Sequence, residues 1–146
     1  MRKELVYSTK KHAEIKCITE DIQKVVKESK VKNGNLIAYT FHTTISLIIQ
    51  EAAESNLCQD IINQLTRIVD DDGEKYKHRC ALHPRKICKT DDVNGPSHVR
   101  HLMVNQNLVI DINNGKLNLG TFQDIGLFEL DGPRKERKVL VKIIKD

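Results

Sequence analysis

The stretch Gly115–Arg134, GKLNLGTFQDIGLFELDGPR, decides the fold. From Lys116 to Leu130 it is rich in apolar and branched residues, and it reads as a strand with a glycine as a candidate bulge. DGPR then turns the chain, and KVLVKII makes a final strand. On the other side, NLVIDI is a strand and NNG is a hairpin turn, since Asn and Gly accept the positive φ such turns need. Strand, tight turn and strand in succession predict antiparallel pairing.

Working toward the N-terminus, KELVYSTKKHAEIKCI alternates apolar and polar residues and reads as two short strands. TEDIQKVVKESKVKNG is a helix with Ile22, Val25 and Val26 on its stripe, Thr19 as N-cap and Asn33-Gly34 closing it. NLIAYTFHT is a buried type of strand, and TISLIIQE continues as a second extended segment. SNLCQDIINQLTRIV places Leu57, Ile61, Leu65 and Ile68 on one helical face, with Ile62 and Val69 beside it. From Asp70 to Pro96 the chain is polar and broken, a long loop. PSHVRHLMVNQ is a short helix with Pro at its start. The sum is α+β: one domain over residues 1–146, two to three helices and a mostly antiparallel sheet in a sandwich-like arrangement.

Composition narrows the function. The chain has 146 residues and a net charge of +4, with both signs interspersed. No basic block with aromatics is present, so nucleic acid is not the expected partner. A mild positive excess suits an anionic small molecule. No stretch approaches the ~20 apolar residues of a membrane span. The first residues lack the apolar segment of a secretion signal, so the expectation is a soluble, cytoplasmic protein. Cys17, Cys58, Cys80 and Cys88 are then expected to be free thiols.

Several residues carry candidate chemistry. His42 ends an apolar strand, and Thr43 and Thr44 add hydroxyls and a backbone suited to orienting an anion or a water. The bland alternative is a strand-end histidine bonded to backbone. YKHRCALHPRKIC, Tyr76–Cys88, holds two histidines and two cysteines, the residue types of a tetrahedral zinc site. Its spacing lacks the paired C-x₂₋₄-C and H-x₃₋₅-H pattern, and Pro84 interrupts it. The stretch therefore splits: His78 goes to a pocket, and the rest is an inserted loop. Asp70, Asp71 and Asp72 either hold Mg²⁺ or form a solvated turn. Arg134 and Arg137 either bind phosphate or carboxylate or, for Arg134, pair with Glu129 or Asp131. His101 shares a helix face with His98 and is read as lying beside it on the surface.

Four motifs in order carry a family resemblance: HTTISLIIQE from His42, YKH ending at His78, NGPSHVRHLM with Asn94 and His98, and the opening Gly115–Arg134 stretch. Together they resemble the YjbQ family, whose members are sometimes called secondary thiamine-phosphate synthases. This chain has Gln50 before Glu51 where the family usually has Asn, Phe122 in place of Trp, and Asp124 in place of Gly. It also carries a longer loop, with CALHPRKICK as the extra piece.

The resemblance implies a homotrimer with a histidine-containing pocket near subunit boundaries. It implies a weak activity that joins a pyrimidine pyrophosphate to a thiazole phosphate. It assigns catalysis to His42, Glu51 and His98, and substrate binding to Thr43, Thr44, Asn94, Gln123 and Arg134. His42, His78 and His98 are the candidate ligands for a divalent metal, zinc or similar, or magnesium if pyrophosphate leaves. Asp60 is a further candidate acid beside them. The alternative is a non-enzymatic homotrimer that binds a metal or a phosphorylated metabolite.

Overall fold

In the computed structural model, which describes residues 1–146, the strands form two antiparallel sheets. β1 (Arg2–Tyr7), β8 (Arg137–Lys145), β3 (Gly34–Thr40), β5 (Asn107–Asn113) and β6 (Lys116–Leu117) lie side by side in that order. β2 (Glu14–Cys17), β7 (Asp124–Glu129) and β4 (Ile45–Gln50) form the second sheet.

Side-chain alternation explains the layering. Leu36 and Ala38 of β3, Leu108, Ile110 and Ile112 of β5, and Val139, Val141 and Ile143 of β8 all point to one buried face. The register keeps them together, with Leu36 opposite both Ile110 and Ile143. Facing them are Ile45 and Leu47 of β4, Ile125 and Leu127 of β7, and the stripe Ile22, Val25 and Val26 of helix α1 (Thr19–Ser29). Fully burying such side chains stabilises the fold by roughly 1.5–3 kcal/mol each, before chain entropy is set against it. β7 is buried on both faces, so Phe128 and Leu130 point the other way, toward α2 (Ser55–Ile68). A third helix, α3 (Gly95–Leu102), follows the long loop. That loop holds only two short 3₁₀ turns, at Gly73–Lys75 and Cys80–Leu82.

The expected α+β architecture is present, with four local differences. Thr19 is the first helical residue, not the cap; its hydroxyl accepts from Ile125 N–H at 2.8 Å and donates to Asp124 Oδ1 at 3.3 Å. The α1 helix stops at left-handed Lys30, before Asn33-Gly34, and Gly34 opens β3. The stripe of α2 runs through Cys58, Ile61, Ile62 and Leu65, leaving Ile68 67% exposed; the phase of the helix is set by Phe128 and Leu130 beneath it. Residues 116–130 are not one strand. Gln123 Oε1 accepts from Gly120 N–H at 2.8 Å, and Gln123 N–H donates to Gly120 O at 2.9 Å, closing a turn that carries the chain from one sheet to the other. The hairpin turn is as expected, with Asn114 at φ 52° and Gly115 at φ 75°.

The outer face of the five-stranded sheet is uncovered. Tyr39, Val109 and Ile144 are exposed there, with Ile37 and Leu140 partly so. No helix is long and apolar enough to cross a membrane.

Candidate functional site: a histidine cleft at the sheet rim

Four segments converge at one rim of the sandwich: Phe41–Thr44 after β3, the loop before α3, α3 itself, and the turn between β7 and β8. Together they enclose a cleft of about 490 Å³ lined by His42, Thr43, His78, Asn94, His98 and Arg134, among others.

Each histidine is held by a specific device. The His42 N–H donates to Thr40 Oγ1 at 3.3 Å, and its ring Nε2 accepts from Lys138 N–H at 2.9 Å. His42 is thus both a strand-end residue bonded to backbone and a cleft residue. His78 sits on a loop braced by Arg79, whose guanidinium donates to the carbonyls of Tyr76 at 2.8 Å and His78 at 2.9 Å, and to Glu74 at 2.7 Å. His98 lies in the first turns of α3. That helix is pinned by Ser97 Oγ, which donates to Leu130 O at 2.6 Å, and by buried Arg100, which donates to Val69 O and Asp71. Gly95 lets the helix reach the His78 loop, because a Cβ there would lie 2.6 Å from Tyr76 Cβ. The result is an edge-to-face pair of imidazoles, His78 and His98, with centroids 4.7 Å apart.

Burial, more than charge, shifts two of the rings, His98 and His42. Burial pushes His98 below the ordinary imidazole value, and neighbouring His78 adds to this, against Asp131 and the Thr43 backbone. Burial likewise lowers His42, assisted by Arg137. A neutral His98 at physiological pH is a competent proton acceptor, whereas the acceptor nitrogen of His42 is already committed to Lys138 N–H.

Beneath the cleft lies a buried ion pair. Glu129 is fully buried and accepts from Arg137 Nε at 2.7 Å and Nη2 at 2.5 Å, from Thr9 Oγ1 at 2.8 Å, and from the N–H groups of Leu130 and Asp131. Burial alone would raise the Glu129 carboxyl, but the Arg137 and backbone hydrogen bonds outweigh it and hold the group below its usual range. Arg137 Nη2 also donates to Thr44 Oγ1 at 3.1 Å, fixing Thr44 under the cleft floor. This pairing was not read from the sequence; its only signal was that Glu129 and Arg137 lie eight residues apart on either side of the DGPR turn.

The cleft gathers His42, Thr43, Thr44, His78, Asn94, His98 and Arg134. Besides His42 and Thr44, Arg134 and Asn94 are already engaged. Arg134 donates to Asp131 Oδ2 at 2.5 Å and to Asp92 at 3.4 Å, yet its side chain stays 39% exposed. Asn94 Nδ2 donates to Asp131 Oδ2 at 2.8 Å. Glu51 and Gln123 are not brought to the cleft within this chain. Glu51 follows the far end of β4, roughly 20 Å from Thr44 at ~3.3 Å per strand residue, and Gln123 braces the Gly120 turn. Asp60 lies exposed on α2. His101 is buried, not at the surface, and its Nε2 has no partner. Asp70 pairs with Lys75, Asp71 with Arg100, and Asp72 caps Glu74, which is a paired turn.

The cysteines depart from expectation. Cys80 and Cys88 form a disulfide, with Cα atoms 5.7 Å apart, in the wall of the cleft; Cys17 and Cys58 are free. The turn at Cys80–Leu82 brings the two together, a proximity that spacing alone did not convey. As for metal, no three His, Cys, Asp or Glu side chains gather in a ligand arrangement, and one His42 nitrogen is committed to Lys138 N–H. His42, His78 and His98 share the cleft without forming a ready ligand set.

An α+β sandwich with a rim cleft walled by histidines and a threonine pair defines the class. The chain belongs to the YjbQ family: the family described as UPF0047 protein YjbQ-like matches residues 3–146. A UPF0047 protein of Archaeoglobus fulgidus is 34% identical over 141 residues, covering 97% of this chain and 99% of its own. A Methanocaldococcus jannaschii relative is 35% identical over 94% of this chain and 90% of its own. Among solved structures, a YbjQ-like protein of unknown function from Sulfolobus solfataricus superposes with a TM-score of 0.86 at 29% identity, covering 100% of this chain and 97% of that one. A YjbQ/UPF0047 protein of Clostridium acetobutylicum gives 0.83 at 34% identity, over 97% and 99%.

Proposed function

We propose that the rim cleft binds a phosphorylated small molecule and that the protein is an enzyme with weak thiamine-phosphate synthase activity. One observation carries this reading: neutral His42 and His98 share a cleft with Arg134 and with the Thr43 and Thr44 backbone N–H groups, which have no acceptor in the chain. Free N–H groups beside a guanidinium form a site for phosphate oxygens. The cleft volume lies in the usual range for small ligands.

In that reaction the thiazole nitrogen bonds to the methylene carbon of the pyrimidine as the carbon–oxygen bond to pyrophosphate breaks. The barrier lies in losing pyrophosphate, and donors preset for its charge lower it. Arg134 and the threonine segment stabilise the leaving group, and His98 handles protons. No step is routed through a metal, since the histidines do not gather as a ligand set.

The test is direct. Purified protein is incubated with the pyrimidine pyrophosphate and the thiazole phosphate, and thiamine phosphate is quantified by chromatography, with His98→Ala alongside. Product from the parent and none from the variant supports the enzyme. Saturable binding of pyrophosphate without product turns the protein into a phosphometabolite-binding module.

A homotrimer is part of the proposal. The bare apolar strip on the outer sheet, where Ile37 pairs with Val109 and Tyr39 with Leu140, is the surface that supports assembly. Assembly is also the way Glu51 or Gln123 of one copy reaches the cleft of another.

A further inference from the structure

The segment Cys80–Cys88 forms one wall of the histidine cleft, and the proposed reaction does not use it. Its two ends are fastened differently. At the Cys80 end, Ala81 N–H donates to Asp91 Oδ1 at 3.0 Å, and His83 N–H donates to Cys80 O at 3.0 Å. At the other end, Ile87, Cys88 and Lys89 make no hydrogen bond to any part of the chain. Ile87 is 66% exposed although it borders the cleft. The disulfide is therefore the fastening that holds Cys88 and Ile87 against the wall.

The same bond is open to attack. Cys80 and Cys88 are half-buried and face a solvent-connected cleft, while Cys58 is buried. RCALHPRKICK, residues 79–89, carries four cationic side chains and no acid; Arg79 is paired with Glu74 and Asp91 lies at the Cys80 end, so Arg85, Lys86 and Lys89 are the cations left around the Cys88 end. Positive surroundings favour the thiolate over the thiol, and exposed disulfides are the labile ones.

We propose that Cys80–Cys88 is a redox-active site that takes two electrons from a dithiol and thereby releases one wall of the histidine cleft. A thiolate of the reductant attacks one sulfur, the protein S–S bond breaks, and the other cysteine departs as a thiolate. The second thiol of the reductant resolves the mixed disulfide and leaves with its partner as an oxidised disulfide. The protein gains two electrons and, at neutral pH, two protons. With Cys88 freed, Ile87 swings away and His78 and His98 open to solvent. This holds whatever ligand the cleft takes.

The full chain is treated with dithiothreitol without denaturant, free thiols are trapped with iodoacetamide, and the reaction of each histidine with diethyl pyrocarbonate is followed by peptide mass spectrometry. Cys80 and Cys88 become alkylated while Cys58 stays protected, and modification of His78 and His98 speeds up about threefold or more with buried His101 unchanged. The Cys80→Ser/Cys88→Ser variant reproduces that rise without reductant. Alkylation of Cys80 and Cys88 only together with Cys58 overturns the proposal, because reduction then requires unfolding. A smaller rise on reduction, or a serine variant as slow as the oxidised parent, overturns the release of the wall.

Discussion

His78 and His98 meet edge to face with ring centroids 4.7 Å apart, one carried by a loop and the other by α3. Each therefore sets the environment of the other. His98→Ala is expected to lower turnover in the proposed synthase reaction by about 10²-fold or more, the range of a lost general acid–base group. Its thermal midpoint should change little. His78→Ala removes a neighbour that depresses His98 and lets water in beside it, so the His98 pKa should rise toward about 6.5. Histidine NMR titration reads that shift, and an unmoved His98 would show that the two rings do not interact.

Acid should destabilise the fold early. His42, His98 and His101 all have folded pKa values lowered first by burial. The unfolded chain then binds more protons than the folded one as pH falls below about 6.5. Their stabilising contribution is full above that pH and is lost as pH descends through the folded values. Urea midpoints measured from pH 8 to pH 5 should fall over this window, and less steeply in His101→Asn.

Breaking the Glu129–Arg137 pair should be costly, because either partner left alone is a buried charge. Arg137→Met is expected to destabilise by about 3–5 kcal/mol. Replacing both, as Glu129→Gln with Arg137→Met, should cost less than the single change, since no net charge stays buried. Chemical denaturation of the three proteins checks the order. Thr44 loses its Arg137 contact in both variants, so pyrophosphate binding should weaken in both.

Gly95→Ala places a methyl 2.6 Å from Tyr76 Cβ, so the helix and the His78 loop must part. Overpacking of this kind costs typically about 1–3 kcal/mol. The proposed synthase activity should fall along with stability, whereas Gly120→Ala, whose nearest contact is the flexible Gln123 side chain at 3.3 Å, should be milder. Melting curves and turnover for the pair decide this.

Val109→Asp puts a charge on the bare sheet face without touching the core. Light scattering coupled to size exclusion should show a trimer in the parent and smaller species in the variant, with circular dichroism unchanged. A parent protein that runs as a monomer would remove the face from the assembly.

Much of the layering was legible in the chain because it follows local periodicity. NLIAYT and NLVIDI read as strands, although the first reads as a buried type and in fact alternates, with Tyr39 exposed; Ile22, Val25 and Val26 mark the inner stripe of α1, and Asn114-Gly115 marks its turn. The four motifs were enough to identify the YjbQ family. Tertiary structure decided what depends on residues far apart. Phe128 and Leu130 set the phase of α2 and expose Ile68. The Gly120–Gln123 turn splits an apparently continuous strand between two sheets. Glu129 found Arg137 across a turn, and His101 went into the interior while His98, three residues earlier, faced the cleft. Cys80 and Cys88 paired because a 3₁₀ turn folded their loop back on itself. Periodicity records which face of an element is buried, but not which distant side chain waits on the other side.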